Sequence, residues 1–183
     1  MAINEKLLEQ GARLLLKGMG VPDLNDSNFK DTPRRVARMY KQLLTPQENN
    51  WATFPSPTSG MIILRNHRVF ALCPHHLLPV ELRAYVGYIP HKKVLGLSKL
   101  ARVVEQQLTI PIMQEELGDK TADALWDKLD PQGVAVVLSG EHGCMKYRGI
   151  ETTGDVVTSA VRGLFAHSAT TRDEFLKLIG RPK

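Results

Sequence analysis

Arg83-Ala84-Tyr85-Val86-Gly87-Tyr88-Ile89, closed by Pro90, is the stretch that decides the fold class. Ala84, Val86 and Tyr88 alternate with Arg83, Tyr85 and Gly87, the period-two pattern of a half-buried strand. Two short apolar runs precede it, Met61–Leu64 and Val69–Leu72, and both read as strands. Two helical stretches follow. Leu97–Leu108 carries Leu97, Leu100, Ala101, Val104 and Leu108 on one face, and Met113–Leu129 carries Met113, Leu117, Leu125, Trp126 and Leu129. Val134–Leu138 is a continuous apolar strand, Val156–Leu164 fits either strand or helix, and Thr171–Ile179 closes the chain as a helix. Strands, then two helices, then strands predict an α+β layer with helices on one face of an antiparallel sheet.

Upstream the pattern is helical. Residues 3–18 place Ile3, Leu7, Leu8, Leu14 and Leu15 on one side, with Glu5, Lys6, Glu9 and Gln10 opposite; Gly18 and Gly20 end that helix. Asp31-Thr32-Pro33 opens a second helix with a capping residue and an early proline, and Val36, Met39, Tyr40, Leu43 and Leu44 form its apolar side. Residues 45–60, rich in Pro, Ser, Thr and Asn, read as a linker with no element. The expected division is therefore a helical extension and linker over 1–60 and a mixed domain over 61–183.

The 183 residues are 43% apolar and 23% charged, ordinary for a soluble globular chain, with a net charge of +5. That mild basicity suits an anionic ligand. No basic run is interleaved with aromatics, which argues against nucleic acid. No apolar stretch approaches the roughly 18–20 residues of a membrane span, and the first residues lack the pattern of a signal peptide. A cytoplasmic, reducing location is the expectation, where two cysteines hold metal or stay free more often than they pair.

Both cysteines have histidines close by, in Cys73-Pro74-His75-His76 and His142-Gly143-Cys144. A Cys-x-x-His plus a remote Cys offers three ligands of the kind a catalytic zinc takes, leaving a fourth position for water and spare histidines to move protons. Cys73 ends a strand and Pro74 turns the chain, so Cys73 and His76 can converge on one ion. His75 and His76, as neighbours, cannot share a direction in an extended chain. His142 and Cys144, two apart on an expected strand, would face the same side. Any one of these residues alone would be read as a satisfied polar His or a small apolar Cys, and a Cys73–Cys144 disulfide competes with the metal reading.

Three further clusters bear on a ligand. Ser98 lies near a helix N-terminus, where free N–H groups favour an anion, with Lys99 and Arg102 on neighbouring positions; a solvated basic face is the plain alternative. In Gln114-Glu115-Glu116 a carboxylate near a pocket can accept two N–H bonds from a guanine edge, though alone it is helix surface. Arg148, just after Cys144, can bring a planar donor fork to a phosphate, or form an exposed salt bridge.

The chain resembles GTP cyclohydrolase I. The matching stretches are TPRRVARMY at 32–40, CPHHLLPV at 73–80, VGYIP at 86–90, VLGLSKLARVV at 94–104, QEEL at 114–117, GVAVVLSGEHGCMKYRGI at 133–150 and TSAVRGLF at 158–165. The resemblance implies the tunnelling fold, assembled as a ring-shaped homodecamer with sites at subunit interfaces. It implies hydrolysis of the guanine imidazole ring of GTP at C8, with release of formate and formation of 7,8-dihydroneopterin triphosphate. It assigns Cys73, His76 and Cys144 to Zn2+, and His75 and His142 to proton transfer. Glu115, preceded by Gln114, would hold the guanine, and Ser98, Lys99, Arg102 and Arg148 the triphosphate. Arg35 resembles an arginine that reaches a neighbouring subunit's site.

Departures from the family pattern are Pro74 for Glu, Glu116 for Arg, Thr109 and Ile110 for basic residues, Leu82 for a common glycine and Tyr85 for a common histidine. They leave open a preference for another purine nucleotide such as dGTP, and an altered assembly. A catalytically idle nucleotide-binding relative is a reading from another class, against which the intact His75 and His142 argue. A pterin synthase, with three zinc histidines, or a nitrile reductase, with a nucleophilic cysteine, fits less well.

Overall fold

The structure, a computed structural model, describes residues 3–46, 48 and 50–180. The chain divides into two compact units, Met1–Thr45 and Pro46–Lys183. The first is a helical pair, α1 (Glu5–Gly18) and α2 (Thr32–Leu43). Asn4 caps α1 by accepting from the Leu7 amide at 3.0 Å. Asp31 precedes α2 as expected, but its carboxylate makes no cap; it pairs with Arg34 at 3.1 Å and Arg35 at 3.8 Å. Ala12 of α1 and Pro33 and Ala37 of α2 are buried, while Leu7, Leu14 and Leu15 of the expected apolar face are exposed.

The second unit is built on a four-stranded antiparallel sheet in the order β2-β3-β5-β6: β2 (Ile62–Leu72), β3 (Pro79–Ile89), β5 (Gly133–His142) and β6 (Val156–Gly163). Helices α3 (Leu97–Glu105) and α4 (Gln114–Leu129) lie in the connection between β3 and β5. The two apolar runs expected before Arg83 are one continuous strand. The polar residues between them form a bulge, in which Arg65 and Asn66 stand opposite Tyr85 alone and Asn66 takes a left-handed φ of 56°. Residues 45–60 are not wholly without structure either. Thr53–Pro55 forms β1, paired with β4 (Lys93–Leu95). β1 is exposed along its length, so no apolar alternation betrays it in the sequence.

The sheet is covered on both faces. Val80, Leu82, Ala84, Val86 and Tyr88 of β3 pack with Val134, Val136 and Leu138 of β5 in one core, which α3 and α4 complete through Leu100, Val103, Val104, Leu117 and Leu125. The opposite side of the sheet places Tyr85, Ala135 and Val137 with Phe165 of the short α6 (Leu164–His167) and with Phe175 and Ile179 of α7 (Ala169–Ile179). Phe165 and Phe175 meet edge to face, 5.6 Å between centroids. The half-buried strand expected from the 83–89 pattern is therefore buried on both sides where α7 lies, and Tyr85 belongs to that second core.

Leu82 stands directly across from Gly140 in the β3–β5 ladder. A Cβ at residue 140 would come within 2.4 Å of Leu82 Cδ2 and 2.6 Å of Gln114 Oε1. The bulk of Leu82 fits because its partner has no side chain. No helix among the described residues is long and apolar enough to cross a membrane.

Candidate active site

Two chain reversals at one end of the sheet build the site. Between β2 and β3, residues 73–78 form a loop closed on itself: the Leu77 amide donates to the Cys73 carbonyl at 2.9 Å and the Cys73 amide to the Leu78 carbonyl at 3.0 Å. Leu77 takes a left-handed φ of 54° to close it. The loop folds His76 back, so that its Nδ1 lies 3.8 Å from Cys73 Sγ. His75 Nδ1 lies 4.0 Å from the same sulfur. The two rings meet edge to face, 75° between planes, and the folded loop lets both approach the one sulfur, which neighbours in an extended chain could not do.

The second reversal follows β5. The sequence predicts His142 and Cys144 on one strand facing the same side; the strand instead ends at His142, and Gly143–Lys146 forms a single helical turn, α5. Gly143 permits the turn to lie against the start of β3, since a Cβ there would meet the Pro79 carbonyl oxygen at 2.9 Å. Cys144 is thereby carried back toward Cys73. The ligand atoms of Cys73, His76 and Cys144 all lie within 4.8 Å of one another. Both cysteines are free thiols, so the disulfide reading fails.

The donor set tests well as a metal site. Two sulfurs and one imidazole are what a borderline-soft divalent ion such as zinc favours. Burial pushes the Cys144 thiol pKa up, helped by its hydrogen bond to and charge repulsion from Cys73, while Arg148 opposes the rise. A Cys144 thiol that resists ionising beside a second sulfur lies where a cation would relieve it. Arg148 Nη1 lies 2.8 Å from His76 Nε2 and donates to it, so this arginine reaches the cluster through the histidine.

The base of α4 forms the next layer. Gln114, its first residue, is buried, and its side chain binds four partners. Nε2 lies 3.0 Å from the Leu138 carbonyl, 2.8 Å from the Val156 carbonyl and 3.1 Å from Thr158 Oγ1. Oε1 lies 2.8 Å from His142 Nε2. Burial lowers the pKa of His142, against the pull of the nearby Glu115 charge, which keeps the imidazole neutral at pH 7. Glu115 itself is exposed. Glu116, the charge reversal relative to the family pattern, turns to Lys120 one helical turn on, at 2.8 Å.

The remaining expected residues stand on other elements. Ser98, Lys99 and Arg102 lie on the first two turns of α3, whose N-terminus has Gly96 and no side-chain cap. Arg35 lies on α2 in the first unit, paired with Asp31 and largely exposed. Sequence reasoning missed the partnership of Gln114 with His142 and the roles of Gly140 and Gly143. The signal lay in the strand register, which local spacing does not carry.

The family model described as GTP cyclohydrolase I matches residues 8–180. The chain belongs to the GTP cyclohydrolase I family. A GTP cyclohydrolase 1 of Carboxydothermus hydrogenoformans is 43% identical over 185 residues, covering 97% of this chain and 96% of the relative. That of Aquifex aeolicus is 40% identical over 182 residues, covering 98% of each. Among solved structures, the apo archaeosine synthase QueF-like protein matches 59% of this chain and 97% of its own at 21% identity and a TM-score of 0.48, too distant to add to the assignment. In this member of the GTP cyclohydrolase I family, the site stands on an antiparallel sheet with α3 and α4 on one face, and the helical pair precedes it in the chain.

Proposed function

We propose that this protein is a zinc-dependent GTP cyclohydrolase that opens the guanine imidazole ring at C8, releases formate and forms 7,8-dihydroneopterin triphosphate. The observation that carries the reading is the convergence of Cys73, His76 and Cys144 in a chain of this family. These three residues would hold the ion, and zinc when bound supplies Lewis acidity that activates water for attack at neutral pH. Arg148 lies beside His76 and adds positive charge next to the cluster.

His142 and His75 take and return protons during ring opening and formate release. A neutral His142 suits the role of base, because only the neutral ring can accept a proton. Glu115 accepts from the N–H edge of guanine, and its charge beside His142 stabilises the imidazolium formed when that proton is taken. Ser98, Lys99 and Arg102 hold the triphosphate at the uncapped N-terminus of α3, where the backbone amides and both cations favour an anion. Arg35 completes a pocket in a homo-oligomer, as a ring-shaped decamer would allow. The protein acts in the cytoplasm, where its thiols remain reduced.

The test is direct. Purified protein assayed for metal is incubated with GTP and, separately, with dGTP, and formate and the oxidised, fluorescent pterin are measured. About one zinc per chain with formate and pterin in equal amounts is the expected result. Zinc-loaded protein that releases formate from neither nucleotide sinks the proposal.

A further inference from the structure

The environment of Gln114 determines where His142 carries its proton. We infer that Gln114 is a positioning residue that holds His142 as the Nε2–H tautomer and leaves Nδ1 as the atom that accepts a proton in the reaction. This rests on the reading above that His142 moves protons, and adds which atom does so and what sets it.

Two of the atoms around Gln114 Nε2 are the carbonyl oxygens of Leu138 and Val156, at 3.0 and 2.8 Å. Carbonyl oxygens only accept, so the amide NH2 must face them and its orientation admits no flip. The amide oxygen is thereby directed to His142 Nε2 at 2.8 Å. An amide oxygen also only accepts, so the ring nitrogen must donate. In a neutral imidazole a proton on Nε2 places the basic lone pair on Nδ1.

The geometry is held from three sides. Leu138 belongs to β5, Val156 and Thr158 to β6, and Gln114 to the first turn of α4, so helix and both strands must be in register for the bond to form. Gly140 leaves the space Oε1 occupies, since a Cβ there would approach it to 2.6 Å. A side chain this buried and this fully bonded has no donor left to offer a substrate. Its contribution to turnover passes through His142.

The test combines nitrogen-15 NMR of histidine-labelled full-length protein with kinetics. The His142 signals, assigned by their loss in His142→Ala, are expected to show the two-bond correlation pattern of an Nε2–H ring in both zinc-free and zinc-loaded protein. In Gln114→Met, which keeps the length but has no amide, the ring is expected to show a mixture of tautomers. For the same variant kcat falls roughly tenfold to hundredfold with KM for GTP within about threefold and zinc content unchanged. Because Gln114→Met also leaves two buried carbonyls without a donor, Gly140→Ala in a Leu82→Ala background serves as a second probe. It relieves the contact with Leu82, crowds only Oε1, and is expected to lower kcat relative to Leu82→Ala alone. An Nδ1–H ring in the unmodified protein overturns the inference, as does a Gln114→Met variant whose KM rises while kcat holds. A zinc-loaded protein with the Nε2–H ring that makes formate from neither GTP nor dGTP would overturn the proposed activity and leave the tautomer assignment standing.

Discussion

The metal cluster and the cationic group on α3 are built in opposite ways. Cys73, His76 and Cys144 come from two chain reversals locked by backbone hydrogen bonds and by the close approach of Gly143 to β3. Ser98, Lys99 and Arg102 lie within the first two turns of a single nine-residue helix, and their proximity needs only the helical repeat, which sets Arg102 one turn from each of the other two. The cluster is thus a product of tertiary register, in which each ligand is indispensable. The α3 group is a local charge array, in which each member adds a screened increment.

Removing a ligand should test this most severely. In Cys144→Ala, zinc content and turnover are expected to fall together, with activity down by on the order of a thousandfold or more. Full zinc occupancy in that variant, measured by elemental analysis, would place the ion elsewhere. His142→Ala separates the layers: zinc stays near one per chain while kcat drops by about 10² to 10⁴. Loss of zinc from this variant would move His142 into the ligand set. Arg102→Ala probes the other region. KM for GTP should rise about tenfold with kcat within about threefold, and the difference should narrow as salt is raised from low to high. A fall in kcat at constant KM would show that α3 does more than hold charge.

The smallest effect belongs to the helical pair, whose ion pair is also exposed. Lys41 donates to Glu5 at 2.7 Å, and this bond, followed by the lysine charge, holds the Glu5 carboxyl below its usual pKa. A depressed carboxylate stabilises the folded form above its unfolded pKa and loses that contribution as pH falls through the folded value. Lys41→Met should therefore shift the urea midpoint slightly at neutral pH and not at all in strong acid. A shift that persists in acid would assign the effect to packing.

The features legible in the sequence were those with short-range signals. The alternation from Arg83 to Ile89, the apolar faces of α3 and α4 and the Cys-x-x-His spacing all report local geometry, and each led to the element or grouping found, although Leu97, Met113 and Trp126 of those faces are exposed. The bulge at Asn66 was hidden because strand pairing overrides a polar gap in composition. β1 was hidden because three exposed residues bury nothing. The end of β5 at His142 depends on a glycine pressed against another strand's carbonyl, which no window around residue 142 contains. Gln114 is the clearest instance. Its partners lie 24 to 44 residues away, and the register of β5 and β6 directs it to His142, a contact that nothing local to residue 114 announces.

Gly140 also constrains the order in which this protein can accept change. Enlarging residue 140 first meets both Leu82 and Gln114 Oε1, whereas shortening Leu82 first removes only one of the two obstacles. Any lineage that trades side-chain volume between β3 and β5 must pass through the small residue at 82. Even then, a methyl group at 140 presses on the amide that fixes a catalytic proton, which links the mutational history of the core to the chemistry at its edge.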